Sequence, residues 1–250
     1  MYLCFTIKNK TMKLHILAIG VHPDDVELSA AGTILKHLAL GKKVGILDLT
    51  LGELGTRGSA EIRTKEASKA SKILGLTVRE QLTMADGFFE NNEIHQKQLI
   101  QAIRKYQPDI VLCNAITDRH PDHGRSAKLA TDACFYSGLV KIITKDDKGK
   151  NQTIWRPKAI YHYIQEQHLK PDFVVDITDY MDKKMESVMA YSSQFYDPNS
   201  KEPITPIAVA NYMDYVKAKA TIFGKSIGCD YAEGFTVTKT IGVKNLFDIY

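Results

Sequence analysis

The sequence predicts an α/β fold: a single domain with a Rossmann-like, mostly parallel sheet and helices on both faces. Three observations carry this. Short apolar runs alternate with longer amphipathic stretches through the first half of the chain. Glycines stand where those stretches should stop, at Gly41, Gly75 and Gly138. The 250 residues fit one large domain, and no internal repeat or linker-like tract divides them.

Taken in order, residues 1–11 (MYLCFTIKNKT) precede the first clean strand pattern and are expected to lie outside a core of residues 12–250. They lack the basic start, long apolar stretch and small-residue cleavage site of a signal peptide. Residues 14–20 (LHILAIG) and 44–49 (VGILDL) read as buried strands, with helical spacing over 28–40 between them. A helix is expected over 60–74, a strand around 81–85, a helix over 93–106, a strand over 109–115, and a helix from about 123 to 138. The second half is less regular. Strands are expected at 159–164 and 173–177, a helix over 179–195, a loop over 196–206 holding Pro198, Pro203 and Pro206, and a helix over 207–228.

Composition excludes several functions. The net charge of +4 comes from 33 basic and 29 acidic residues scattered along the chain. No dense Lys/Arg stripe with interleaved aromatics appears, so no nucleic-acid partner is expected. No window reaches the 18 apolar residues of a membrane span, so no membrane partner is expected. The four cysteines (Cys4, Cys113, Cys134, Cys229) form no CxxC pair, which fits reduced thiols and a cytoplasmic location. A domain of this size can fold without a structural metal, so a metal here would serve chemistry.

The first cluster able to do chemistry is His22-Pro23-Asp24-Asp25-Val26-Glu27, directly after the first strand. Ligands of open parallel sheets bind beyond the carboxyl ends of the strands, which places this cluster at the crevice. An imidazole and one carboxylate suit a divalent ion, leaving a second acid free. The plainer alternative is that Asp24 or Asp25 caps the next helix and His22 is a turn residue. A dinucleotide is excluded at this point, because the loop carries acids in place of G-x-G-x-x-G. The second cluster, Arg119-His120-Pro121-Asp122-His123, follows the strand at 109–115 and shares the same alternative of a capped helix start, with Asp122 near the cap. Each cluster alone is weak; two at strand ends of one sheet argue for a common site.

Together they supply a site of the catalytic zinc type, with His22, Asp25 and His123 as metal ligands and one position open. Zinc lowers the pKa of water to roughly 7 and polarises an amide carbonyl. Asp24 beside it can take a proton and return it to a leaving amine. Asp122 and His120 fit a pair in which the acid orients an imidazole that stabilises an oxyanion. Two imidazoles and a carboxylate also suit iron(II) or another divalent transition metal.

Residues 20–34 (GVHPDDVELSAAGTI) and 119–133 (RHPDHGRSAKLATDA) resemble the two signature motifs of the LmbE/PIG-L deacetylase family. The similarity extends over about residues 12–240, including DLTLGELGTRGSAEIR at 48–63 and FGKSIGCDYAEGF at 223–235. It implies hydrolysis of the N-acetyl group of an N-acetylglucosamine conjugate. It points first to N-acetylglucosaminyl-L-malate in bacillithiol biosynthesis, and to a small-molecule sugar conjugate as the partner. The resemblance makes His22, Asp25 and His123 the metal ligands, Asp24 the general base, and His120 with Asp122 the transition-state pair. Arg63 matches an arginine that holds the substrate, and Tyr212 matches a mobile tyrosine near the metal, against the alternative of an ordinary helix-face aromatic. A homo-oligomer is implied by analogy alone. A malate conjugate needs a further cation, for which Arg57 and Arg63 are the candidates. The stretch Gln165-Glu166-Gln167-His168 departs from the family pattern, which often carries an arginine there. Other readings are deacetylation of another N-acetyl sugar, such as a chitin oligosaccharide, and a non-catalytic metal- or sugar-binding protein.

Overall fold

The computed structural model describes residues 12–248, so the expected extension at 1–11 lies outside the described residues. Among the described residues there are seven strands and six α-helices, alternating strictly only as far as Tyr136. They are β1 (Ile16–Gly20), α1 (Asp25–Ala39), β2 (Val44–Asp48), α2 (Ala60–Leu74), β3 (Val78–Gln81), α3 (Glu93–Tyr106), β4 (Ile110–Cys113) and α4 (Pro121–Tyr136). They continue as β5 (Ala159–Tyr163), β6 (Phe173–Asp176), α5 (Met181–Met189), α6 (Tyr212–Lys225) and β7 (Ala232–Val237). The sheet order is β3-β2-β1-β4-β5-β7-β6, parallel from β3 to β5, with β7 antiparallel to both its neighbours.

Period-2 alternation along β1 builds two cores. Leu17 and Ile19 pack with Leu99, Ile103, Leu129 and Ala133 of α3 and α4. Ile16 and Ala18 pack on the other face with Val26, Ala30 and Ile34 of α1. A strand buried on both faces must be apolar throughout, and β1 and β2 are buried at every position. Helix ends follow local chemistry. Ser59 and Asn92 accept from Ile62 N and His95 N at 3.3 and 3.0 Å, and Gly75 closes α2 at φ 76°. These caps are why α2 and α3 fall where the sequence places them.

Three expectations need correction. The third strand lies at Val78–Gln81 instead of 81–85. It is a charged edge strand whose Arg79 clamps Asp48 at 2.7 and 2.8 Å and Glu27 at 2.5 Å, while Met84 turns into the core. The helices expected over 179–195 and 207–228 are shorter, ending at Met189 and starting at Tyr212. β7 has no counterpart in the sequence reading, because Glu233 and Gly234 interrupt its pattern. Glu233 is buried against Lys184 at 2.6 Å and the amides of Gly32 and Thr33 at 3.0 and 2.7 Å.

The chain turns tightly from α6 into β7 at Gly224. A Cβ there would meet Cys229 O at 2.6 Å and Asp230 O at 2.8 Å. Backbone cannot give way as a side chain can, so Gly224→Ala is expected to destabilise the fold by about 1–3 kcal/mol, read as an earlier thermal midpoint. No helix among the described residues is long and apolar enough to cross a membrane.

β1 pairs with β2 on one side and β4 on the other, so the sheet order reverses there. Carboxyl ends of strands at such a switch point form the ligand crevice. The loops after β1 and β4 carry the two His-Pro-Asp clusters, which the topology makes neighbours.

Candidate active site

The turn after β1 ends in an unusual backbone. Asp24 has φ 113° and ψ −26°, a region that non-glycine residues rarely enter. It occupies the N-cap position of α1 yet makes no capping bond with its side chain. Its Oδ2 instead accepts from Arg63 Nη2 at 3.0 Å, and the same nitrogen reaches Pro23 O at 2.6 Å. Asp25 does not cap the helix either. Its Oδ2 accepts from His22 N at 2.9 Å and Asn114 Nδ2 at 3.0 Å, and its Oδ1 from Gln165 Nε2 at 3.1 Å.

Three donors converge on one point. Asp25 Oδ1 lies 3.1 Å from His123 Nε2, and Asp25 Oδ2 lies 3.7 Å from His22 Nδ1. The outer nitrogens are tied back: His22 Nε2 to Asp86 at 2.9 Å, His123 Nδ1 to Asp118 at 2.5 Å. A carboxylate behind each imidazole is the arrangement that orients metal-ligating histidines. The donor set fits a divalent transition metal. His120 adds a third imidazole, with ligand nitrogens of the three rings all within 4.8 Å. Its Nδ1, however, accepts from the Asp122 backbone amide at 3.3 Å, which makes His120 the N-cap of α4.

The carboxylates gathered here favour positive charge on His22 and His123. Burial would depress His22, but the nearby carboxylate of Asp122, the hydrogen bond to Asp86 and the charge of Asp25 outweigh it and hold it up to about 10. Burial likewise opposes His123, yet the Asp25 charge and the Asp118 bond push it up to about 9. Asp25 is held far below the usual carboxylate range, the burial penalty being overcome by His123 and His22. Asp24 goes the other way: burial and the charges of Asp25 and Glu27 push it up to about 7 against the pull of Arg63 and His22. Burial, with the charges of His22 and His123, holds His120 below the usual imidazole range.

A cavity of about 320 Å³ collects His22, Asp24, Asp25, Arg63, His120, His123 and Tyr212. Leu54, Gly55 and Thr56 of the glycine-rich loop also line it. Tyr212 opens α6 and is stacked 5.9 Å from both Phe195 and Tyr215, with burial holding its phenol well above the usual range. Asp122 sits behind the cavity. Its Oδ2 accepts from Gly87 N at 2.9 Å and its Oδ1 from Arg125 at 2.9 Å, while the imidazole it faces is His22, at 3.7 Å. Its link to His120 runs through the backbone amide, not through the expected carboxylate contact.

Arg57 does not line the cavity. It is 4% exposed, and its guanidinium donates to Ser193 O, Phe195 O, Ser200 Oγ, Glu202 O and Pro203 O. Five donors on five acceptors leave none for a ligand, so the geometry makes Arg57 a staple of the 193–203 loop in place of the expected substrate contact. Arg57→Ala is expected to cost on the order of 1–3 kcal/mol of stability, because Phe195 O and three part-buried carbonyls lose their donor. KM should stay near that of the parent, as steady-state kinetics below the melting range would show.

Asp86, Asp118, Asn114 and Lys219 escaped the sequence reading, which noted Arg119, Gln165 and Glu166 without giving them a role. Asp86 and Asp118 follow β3 and β4, so the strand-end rule that found the two clusters would also have found them. Lys219 sits mid-helix on α6, donates to Gln165 O at 2.7 Å, and is depressed by burial to about 8. Nothing in its local sequence marks it.

Comparison with known proteins finds relatives of this chain. Residues 17–134 match the family model "PIG-L: GlcNAc-PI de-N-acetylase". The chain is similar to a diacetylchitobiose deacetylase of Thermococcus kodakarensis, 29% identical over 229 residues, covering 88% of this chain and 81% of that protein. It is also similar to a probable N-acetyl-alpha-D-glucosaminyl L-malate deacetylase of Bacillus anthracis, 27% identical over 72% of this chain and 81% of that one. Among solved structures, a conserved protein of Thermus thermophilus superposes with a TM-score of 0.81 at 33% identity, covering 92% of this chain and 98% of that one.

Proposed function

Because this chain belongs to the PIG-L/LmbE family of deacetylases, we propose that it hydrolyses the N-acetyl group of an uncharged amino-sugar conjugate. His22, Asp25 and His123 would hold a divalent metal, zinc or iron(II), which supplies Lewis acidity to polarise the amide carbonyl and acidify water. Asp24 takes the proton of the attacking water as its oxygen bonds the carbonyl carbon. It then gives that proton to the nitrogen as the C–N bond breaks, releasing acetate and a free amine. His120 accepts through Nδ1, so its neutral ring carries the proton on Nε2 and can donate to the developing oxyanion. Asp122 holds Gly87 and faces His22; Tyr212 offers a protonated phenol at the cavity wall.

One observation supports this substrate class: Arg63, Arg119 and Lys219, which line the cavity, each have a partner within the chain, Arg119 through Nε alone. Arg63 pairs with Asp24 at 3.0 Å, Arg119 with Glu166 at 2.5 Å, and Lys219 holds the Gln165 carbonyl. Asp24, Asp25, Asp86 and Glu166 line the same cavity. A malate conjugate would bring two further carboxylates into this surrounding at an electrostatic cost. Neutral N,N'-diacetylchitobiose meets no such cost, and the Thermococcus relative bears that substrate in its name. The malate reading keeps the support of the Bacillus relative.

Acetate release from N-acetylglucosamine, N,N'-diacetylchitobiose and N-acetylglucosaminyl-L-malate, each with the metal-loaded enzyme, tests this. Higher kcat/KM on the disaccharide than on the malate conjugate is expected; the reverse order would return the assignment to the malate conjugate. Arg63 gives a second test. Its partner is Asp24, while Glu66 is occupied by Ser192 and Ser193, so it acts on the base and not on one aglycone. Arg63→Lys is expected to lower kcat on all substrates alike, since a single ammonium nitrogen cannot hold Asp24 and Pro23 O as Nη2 does while reaching Gly52 O as Nη1 does. Selective loss on the malate conjugate would instead make it a recognition residue.

A further inference from the structure

We propose that a shallow groove beside the catalytic cavity takes the second sugar ring of a disaccharide; this rests on the amino-sugar deacetylase reading above. The groove measures about 350 Å³ and is lined by Gly87, Phe88, Phe89, Glu90, Asn91 and Arg125. Gly87 also lines the catalytic cavity, so the two spaces share a wall. The cavity's 320 Å³ stands at the low end of the roughly 300–1,000 Å³ of small-molecule sites. It suits one ring with its acetamide, and a second ring must lie outside it.

The shared wall is fixed. Gly87 adopts φ 71°, donates its amide to Asp122 Oδ2 at 2.9 Å, and accepts from Arg125 Nη1 at 2.8 Å. Next to it Phe88 is 77% exposed, whereas Phe89 is buried beneath the Arg125 guanidinium, 5.2 Å from ring to carbon. Arg125 spends only Nη1 on the protein, on Gly87 O and Asp122 Oδ1; its Nε and Nη2 donors have no acceptor among the described residues. An uncovered aromatic face beside spare N–H donors is what a pyranose needs: an apolar C–H face to stack and hydroxyls to accept hydrogen bonds. The charge of Arg125 is met by Asp122 at 2.9 Å, and Glu90 adds a carboxylate to the lining. That balance favours a neutral ring over an anionic aglycone.

Phe88→Ala tests the groove, since an exposed side chain can be truncated with the thermal midpoint unchanged. Its KM for N,N'-diacetylchitobiose is expected to rise about 3- to 10-fold, the scale of one aromatic stacking contact, with N-acetylglucosamine kinetics unaltered. Equal change on both substrates, or on neither, overturns the proposal. Selective loss on the malate conjugate overturns it too, by assigning the groove to an anionic group. Should the wild type release acetate from neither sugar, the underlying reading fails. Calorimetric titration of chitobiose into wild type and Phe88→Ala then judges the groove alone: weaker binding to the variant supports it, and equal binding overturns it.

Discussion

Asp24→Ala is expected to lower kcat by roughly 10²–10⁴-fold, the usual contribution of a positioned general acid–base group, while the protein keeps its metal and its KM changes little. The geometry separates Asp24 from the ligand set. Asp25 turns both oxygens toward His22, His123, Asn114 and Gln165, whereas Asp24 addresses Arg63. Held at φ 113° without capping the helix through its side chain, Asp24 has Arg63 as its one side-chain partner. Strain of this kind collects where a side chain must meet a reacting group. The experiment pairs single-turnover kinetics with elemental analysis. A kcat near the parent value would remove Asp24 from proton transfer. Loss of metal along with turnover would place it among the ligands. A non-catalytic binding protein would show no turnover in the parent either, and Asp24→Ala would leave its ligand affinity unchanged.

The two His-Pro-Asp clusters were legible because metal chemistry confines scarce residue types to short spacings at strand ends. Their meeting was legible too, since βα alternation predicts a parallel sheet whose carboxyl edge gathers such loops. What supports them was hidden. Gln165 and Lys219 enter the cavity from beyond β5 and from α6, far along the chain, and no local pattern links them to Asp25. Arg57 looked like a substrate contact because it stands in a glycine-rich loop at the sheet's edge. Its acceptors are mostly backbone carbonyls at 193–203, and carbonyls leave no trace in a sequence. β7 was hidden for a related reason. Glu233 looks solvent-facing in a sequence, but it satisfies Lys184 and the two α1 amides. Gly234 is needed where the ring of Phe223 would lie 2.9 Å from a Cβ.

The largest effect is expected at the proposed metal ligands. His22→Ala, Asp25→Ala and His123→Ala should each leave the purified protein with little bound transition metal and little acetate release. Chelation of the wild type should abolish turnover, and adding back a divalent transition metal should restore it. The three side chains are not equivalent in what else they hold. His22 also meets Asp86, whose Oδ2 accepts from Leu54 N at 3.0 Å, so its loss also loosens the glycine-rich loop. His123 is tied to Asp118, which accepts in turn from Gln167 N. Asp25 bridges both histidines and Asn114, and truncating it leaves a buried amide short of an acceptor. Asp118→Asn provides the discriminating variant, since it keeps all three ligands and alters only the partner behind His123. Metal affinity is expected to fall about 10- to 100-fold, the measured weight of such supporting carboxylates, with activity recovered at raised metal concentration. A variant that stayed inactive at saturating metal would show that Asp118 does more than orient the imidazole. Full metal occupancy in all three alanine variants would overturn the ligand assignment itself. Loss of metal in His22→Ala alone would instead point to the neighbouring set of His22, Asp86 and Asp122, whose ligand atoms also lie within 4.8 Å of one another.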